Sequence, residues 1–490
     1  MINENLDSIM QQITQAVGQN VPLKSKKIQI GQAPTLPAII FYMDGLVNLD
    51  IINRDILNPL MLHVNEHIAP EKNSVAYLCE RYIAVSGTSL EKNIEEVANG
   101  LKSGKTVIIL DKANEFIMID TAGGEYRIIS EPLDEVSLRG SREGFVENLD
   151  INITMLKRKI KDSSLSIEYS VIGRRSKTPL ALVYIDNIVD KNILNDVKER
   201  IKMIDVDFVS GTGMIEQYIE DWTYTIFPQV IYSERPDRIA SKLMEGKIAV
   251  LLQGTPFIFT VPTLFIEFFQ TVEDYYERTI IANVLRLLRI LSVFIVIFLA
   301  PIYLTLLKFN TEMIPIDFVV PIVRSRTGIP LTPFIEILVL ELLVEILREG
   351  GLRLPSKIAQ TISIVGGIII SDAAIEAGVV SPTTLLVVGI ATISSFLIPI
   401  HEMSYTIRLL KFPMLILANL MGIFGIATGF IILMIHLLSL RSFGVPYLTF
   451  YKSDLKDFLI RAPLWQMNRR PTAIPNSNNI RQKKTKEPPK

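Results

Sequence analysis

Ile290–Leu307 reads ILSVFIVIFLAPIYLTLL, eighteen residues without a charge, and it follows directly on Arg286 and Arg289. A helix rises about 1.5 Å per residue, so roughly 20 apolar residues cross a bilayer core. Upstream of residue 285 the chain mixes Lys, Asp and Glu freely, as a water-soluble domain does; downstream, apolar stretches recur up to Leu440. The expected fold is therefore a soluble α/β head followed by an α-helical transmembrane bundle. The 490 residues carry a formal net charge of −1, which gives no bulk attraction to nucleic acid. Cys79 is the single cysteine, so no intramolecular disulfide can form, a usage that fits a cytosolic head. The start, MINENLDSIMQQ, has neither a basic nor an apolar leader region. No secretory signal peptide is expected, and Ile290–Leu307 should be the first segment to enter the membrane.

The head repeats itself. Ile40–Asp50 (IFYMDGLVNLD) resembles Leu182–Asp190 (LVYIDNIVD), with Tyr42 on Tyr184 and Asp44 on Asp186. Leu101–Thr121 resembles Leu243–Thr263, with Leu101, Gly104, Lys105 and Thr121 on Leu243, Gly246, Lys247 and Thr263. Both matches hold one ungapped shift, from Tyr42 to Tyr184 and from Leu101 to Leu243, 142 residues. Two separated matches in one register indicate a duplication. Each copy reads as a short apolar strand (Ile39–Met43, Ala181–Ile185), a helical segment and a hairpin. The hairpins are Val107–Leu110 into Phe116–Ile119, and Ile248–Leu252 into Phe257–Val261. The head is thus two related α/β subdomains.

Catalytic motifs are sparse. Asp44 and Asp186 sit just past strands, where an Asp more often caps a turn than acts as an acid. His63 and His67 are four apart but lack the HExxH pattern of a zinc helix. Gly211–Gly213 (GTG) is too short for a phosphate loop. No enzyme, cofactor or metal is expected.

Between the copies lies Leu138–Lys161, LRGSREGFVENLDINITMLKRKIK. Gly140–Gly144 is turn material carrying Arg142 and Glu143. Phe145, Leu149, Ile153 and Leu156 follow about one helical turn apart, and Lys157, Arg158 and Lys159 suit the C-terminal end of a helix dipole. The expected organisation is subdomain 1 over 1–137, a linker helix over 138–162, subdomain 2 over 163–270, a polar connecting helix over 271–289, a bundle over 290–440 and a basic tail over 441–490. The connecting helix carries Glu273, Asp274, Glu277, Arg278 and Arg286 into the bilayer.

Gly140–Ile160 resembles the hallmark segment of the A-subunit family of spore germination receptors, the GerA family. Val320–Pro330 (VPIVRSRTGIP), Glu345–Pro355 (EILREGGLRLP), Ser363–Pro382 (SIVGGIIISDAAIEAGVVSP), Ser442–Tyr447 (SFGVPY) and Arg461–Pro471 (RAPLWQMNRRP) resemble further family segments in the right order. After Tyr447 the chain departs from the family, with LTFYKSDLKD where relatives often have a Pro-rich, apolar stretch. The resemblance implies a multi-pass protein of the spore inner membrane, working with a transporter-like B subunit and a lipoprotein C subunit. It also implies a homo-oligomer, a pentamer, around a path for monovalent cations. The alternative is a non-conducting scaffold that clusters or amplifies other receptors. Arg142, Glu143 and Phe145 are the expected assembly or signalling motif.

Four further apolar stretches follow: Leu331–Leu347, Ile358–Ala377, Thr383–Ile400 and Phe412–Leu440, the last broken by Gly422, Gly425 and Gly429. Glu336, Glu341 and Glu345 interrupt the first of these, so it is expected to lie at the interface or to turn its acids to a wet cavity. Residues 452–490 hold ten Lys/Arg against three acids, which places the tail in the cytosol with the head. Five stretches conflict with the even number of crossings this needs. Either Leu331–Leu347 lies flat or re-enters, or a hairpin breaks Phe412–Leu440. Thr361, Val365, Ile368 and Asp372 share one helical face and are the candidate pore lining, a hydroxyl, two apolar collars and an acidic ring; the alternative is that Asp372 and Glu376 end a helix near the headgroups while Val365 and Ile368 pack on a neighbour.

Overall fold

The computed structural model describes residues 6–17, 23–31, 35–43, 46–66, 68, 74–113, 115–123, 131–132, 135, 137, 139–352, 373–451, 454–457 and 460–482. The chain divides into two units, Met1–Arg127 and Ile128–Lys490. In the first, α1 (Leu6–Val17) precedes a hairpin of β1 (Leu23–Ile30) and β2 (Leu36–Met43). Helix α2 (Leu49–Ile51) runs on as π-helical turns to His63 and is followed by α3 (Ser74–Tyr82), β3 (Thr88–Glu91), α4 (Ile94–Lys102), β4 (Lys105–Leu110) and β5 (Phe116–Asp120). The sheet order is β1-β2-β4-β5-β3, and every pair is antiparallel. Alternation along β2 and β4 feeds both faces. Ile39, Phe41, Val107 and Ile109 pack under α1 and α4, and Ala38, Ile40, Ile108 and Leu110 pack under the π-helical turns and α3.

The second unit repeats this plan. It holds α5 (Leu149–Lys159), β6 (Leu165–Ile172), β7 (Thr178–Ile185), α6 (Lys191–Lys202), α7 (Thr212–Ile219), β8 (Ile231–Ser233), α8 (Pro236–Met244), β9 (Ile248–Leu252) and β10 (Ile258–Val261). Its sheet order, β6-β7-β9-β10-β8, is that of the first unit, again antiparallel throughout. Leu23 corresponds to Leu165, Leu36 to Thr178 and Ile94 to Pro236, all at the shift of 142 seen in the sequence. Gly31 and Gly104 have φ of 84° and 86°, and their counterparts Gly173 and Gly246 have 89° and 98°. Each makes a left-handed turn at no cost in Cβ contact.

Two expectations are corrected here. The helix read over Phe145–Lys161 starts at Leu149, because the Asn148 side chain accepts the Ile151 N–H and caps it. Phe145 lies ahead of it in extended chain, its N–H donating to the Glu234 carbonyl at 2.7 Å, and is buried with Leu149, Ile153 and Leu156 against β7 and β9. In chain order α5 stands where α1 stands in the first copy, so it is part of the second sheet's core. The connecting helix also breaks earlier than expected. A short α9 (Glu273–Tyr276) ends at Glu277, and α10 (Thr279–Lys308) then runs unbroken, with Arg286 and Arg289 inside it.

Helices α11 (Ile316–Arg326), α12 (Pro333–Leu352), α13 (Pro382–Ser395), α14 (His401–Met421) and α15 (Ile423–Ser439) follow, then a two-stranded ribbon of β11 (Arg441–Ser442) and β12 (Val445–Pro446). Among the described residues α10 is the one helix with both the length and the apolar composition to cross a membrane; α13 and α15 are apolar but shorter. The long last stretch is a helical hairpin that turns at Gly422, whose φ is 58°. A Cβ on Gly425 would lie 2.0 Å from the Leu417 carbonyl oxygen, so only glycine lets the two helices close this tightly. Helix α12 does not lie across α13. Glu336 near its start binds the Ser381 N–H at the start of α13, and Arg348 near its end binds Thr392 and Ser395 at the end of α13.

Candidate functional site

The second sheet domain, α10 and the C-terminal tail meet in a buried polar seam. Asp274 on α9 accepts from Arg286 Nε at 3.0 Å and Arg289 Nη1 at 2.9 Å, and the Thr271 hydroxyl donates to it at 3.2 Å. Asp274 and the Arg286 side chain are 1% and 2% exposed. Arg286 Nη1 also donates to the Asp457 carbonyl at 2.5 Å, and Tyr275 donates to the Asp457 carboxylate at 3.1 Å. Burial pushes both the Asp457 carboxyl and the Tyr275 hydroxyl upward. Arg461 adds a third link: its Nη1 donates to the Glu277 carbonyl at 2.8 Å and its N–H to Asn283 at 2.6 Å. Three parts of the chain share one set of charges.

Beside the seam lies a second buried cluster. Glu267 takes Lys242 at 2.8 Å, Lys247 at 2.5 Å and the Leu264 N–H at 2.9 Å. Burial works against its charge, but Lys242 and Lys247 hold it down to about 2. Lys247 is the softer member: burial brings it down to about 8 although Glu267 opposes. Lys242 stays protonated, since Glu245 and Glu267 outweigh its own burial. Removing one partner of such a group leaves a buried charge uncompensated and costs about 3–5 kcal/mol.

The Ser442–Tyr447 segment is the clasp of the tail. Ser442 Oγ donates to the Gln229 carbonyl at 2.9 Å and accepts the Thr263 N–H at 3.0 Å. Tyr447 is fully buried among Phe227, Phe265 and Phe268 and donates to the Pro228 carbonyl at 2.7 Å. Further on, Ala473 and Ile474 enter the core of the second sheet, and Val189 bridges to Asn476.

The acids of α12 face neighbours, which corrects the expected wet cavity or interface. Glu336 pairs with Arg326 at 2.6 Å, Glu341 with Lys411 at 2.5 Å, and Glu345 with Lys411 at 2.9 Å and Arg408 at 3.3 Å. Lys411, in the middle of α14, is buried with Glu336 and Glu341.

Arg142 and Glu143 of the expected motif do not pair with each other: Arg142 reaches Glu131 at 3.2 Å on the surface, and Glu143 reaches Lys159 of α5 at 3.0 Å. Asp186 is an exposed partner of Lys191 at 2.5 Å, consistent with a turn residue. Asp44, His67, Thr361, Val365, Ile368 and Asp372 lie outside the described residues. Asp274, Glu267, Asp457 and Lys411 belong to no motif in the sequence. Glu267 inside FIEFF and Lys411 inside LLKFPML carry the available signal, a lone charge in an apolar run that must find a partner.

The architecture is a sheet-rich N-terminal part tied to a helical C-terminal part. Residues 11–473 match the model of the GerA family, described as Bacillus/Clostridium GerA spore germination protein. Spore germination protein KA of Bacillus subtilis (strain 168) is 37% identical over 492 residues, covering 100% of this chain and 90% of that protein. Spore germination protein GerLA of Bacillus cereus is 33% identical over 488 residues, 98% of each. The crystal structure of the N-terminal domain of the A subunit of the Bacillus megaterium spore germinant receptor GerK3 is 29% identical; the match covers 53% of this chain and 95% of that one, with a TM-score of 0.22. The chain belongs to the GerA family of spore germination proteins.

Proposed function

We propose that this protein is a multi-pass membrane subunit of a spore germinant receptor, a homo-oligomer that opens a path for monovalent cations in response to nutrients. The observation that carries the oligomer is the outward face of α10. Ile280, Val284, Leu287 and Leu291 recur at helical spacing, and Ile280 and Leu287 are 79% and 66% exposed. These turns stand beside Asp274 and Asp457, at the level of the sheet domain, so their apolar face needs a protein cover. A second copy offering the same stripe supplies one. The transporter-like B subunit and lipoprotein C subunit are the further partners that the family resemblance suggests.

A bilayer around the helices is supported by outward apolar side chains such as Ile302, Leu386, Ile393, Leu420, Phe424 and Ile435. The hairpin at Gly422 turns one apolar stretch into two helices, so six passes satisfy parity without laying α12 flat. The tail packs on the second sheet domain, hence both share one side, the cytosol or spore core on the positive-inside rule. The cation path is assigned to the face of Thr361, Val365, Ile368 and Asp372. The scaffold reading keeps one observation in its favour: Glu336, Glu341 and Glu345 are all neutralised by cations, not turned to a water path.

The test places a cysteine at Leu287 in a Cys79→Ala background. Each subunit then carries one thiol, so a bis-maleimide is expected to give a covalent dimer in membranes, and proteoliposomes of the receptor subunits are expected to pass cations. Val365→Ala should make them leak without nutrient. Oligomers that cross-link in pairs but never conduct favour the scaffold. No cross-links from positions 280, 284 or 287 overturn the oligomer.

A further inference from the structure

Between α7 and β8 the chain runs through Glu220–Val230, EDWTYTIFPQV, and turns Trp222 and Tyr224 outward while Phe227 is buried. Tyr224 is 95% exposed and Trp222 46%, with Tyr218 on the last turn of α7 and Ile226 exposed beside them. The exposure is built in, since the backbone beneath is pinned. Gln229 donates to the Trp222 carbonyl at 2.8 Å and accepts the Asp221 N–H at 3.1 Å, and the Thr225 hydroxyl accepts the Phe227 N–H at 3.2 Å.

The loop sits on the head-side end of the helical hairpin. Thr225 Oγ1 is 3.0 Å from His436 Nε2 in the last turn of α15, and the Trp222 ring meets the His436 ring edge-on at 5.8 Å. The Thr406 hydroxyl, in the second turn of α14, donates to the Ile226 carbonyl. Helix α15 has 17 residues, about 25 Å, which is a few ångströms short of a hydrocarbon core of roughly 30 Å. Counted from Gly422 at the far end, the apolar layer therefore ends near the level of this loop. Trp and Tyr favour that depth, with the ring against acyl chains and the N–H or O–H in the wet headgroup zone.

We infer that residues 218–226 are a membrane-interface anchor whose partner is the headgroup layer of the bilayer that α10, α14 and α15 cross. The anchor sets the height of the second sheet domain over the membrane, so that movement of the hairpin relative to the lipid surface is felt by the Ser442–Tyr447 clasp. This rests on the membrane reading above.

The chain has two tryptophans, Trp222 and Trp465, so a Trp465→Phe variant of the full chain makes Trp222 the sole indole reporter. Trp465→Tyr serves if that variant folds poorly. The protein is reconstituted in phosphatidylglycerol/phosphatidylcholine vesicles, tested for flotation, and its fluorescence measured with lipids brominated at shallow or deep acyl positions. The expected result is flotation, with Trp222 quenched more by shallow bromines than by deep ones. Flotation with Trp222 quenched by aqueous iodide and not by brominated lipid overturns the anchor while leaving the membrane reading intact. Flotation with neither quencher effective also overturns it and shows the patch covered by another copy. Folded protein that does not float overturns the membrane reading itself.

Discussion

Val189 forms with Asn476 the backbone bridge that Val47, its counterpart in the first copy, forms with Ala122. The substitution extends to the next bond: Gly123 N–H donates to the Leu46 carbonyl at 3.1 Å, and Ser477 N–H donates to the Ile188 carbonyl at 2.8 Å. In the first unit a chain segment following β5 closes the domain. In the second, the chain after β10 has left for the helices, and the C-terminal tail returns to fill its place. The duplicated domain is thereby completed only after the helical segment has been traversed.

The tail should therefore be required for the second unit and not for the first. Ile474 is 1% exposed in the second unit's core, and Ile474→Asp places a charge there. A loss of at least about 3 kcal/mol is expected. In limited proteolysis of the detergent-solubilised chain, residues after 128 should become sensitive while the first unit stays resistant. Equal resistance of both units would refute this dependence.

Lys411 compensates both Glu341 and Glu345, so Lys411→Met should lower stability by roughly 3–5 kcal/mol by leaving a buried carboxylate with no cation. Adding Glu341→Met should recover much of the loss, because Arg408 still serves Glu345. Thermal unfolding of the two variants and wild type in detergent checks the order. A double variant no better than the single one would show that the pair itself, and not charge balance, holds α12 to α14.

The Glu267 cluster should give the protein an acid limb. Its carboxyl titrates near 4.5 when unfolded and near 2 when folded, so its contribution is complete above about pH 4.5 and is lost as pH falls toward 2. Lys247 acts in the same sense at high pH. Its folded value of about 8 lies below the ordinary 10.5, so folding favours the neutral amine and this group adds stability as pH rises between them. Glu267→Gln should flatten the acid limb in a series of melting temperatures against pH. A limb of unchanged steepness would assign it to other carboxylates.

Near-neighbour spacing alone carries the local patterns. Apart from the shift of 142 residues, which comes from matching distant stretches, the strands over Ile39–Met43 and Ala181–Ile185 and the apolar run at Ile290–Leu307 rest on that spacing. So does the glycine break in Phe412–Leu440, although spacing leaves open whether that break makes a hairpin. The extent of α10 differs from expectation because Arg286 and Arg289 resemble the polar boundary of a span. They are interior helix residues whose charge is met by Asp274, 12 and 15 positions earlier.

The duplication, the apolar strands, the helical half and the family were all legible in the chain, because they rest on matched stretches, local periodicity and motif order. The antiparallel strand order, the return of residues 473–477 into the second sheet and the partners of the buried charges come from packing in three dimensions. Arg286 meets Asp457 across 171 positions and Glu341 meets Lys411 across 70. A buried carboxylate in an apolar run announces that it needs a cation, since an uncompensated charge is too costly there. Which cation answers depends on how the helices pack, and packing brings together residues that no local spacing connects.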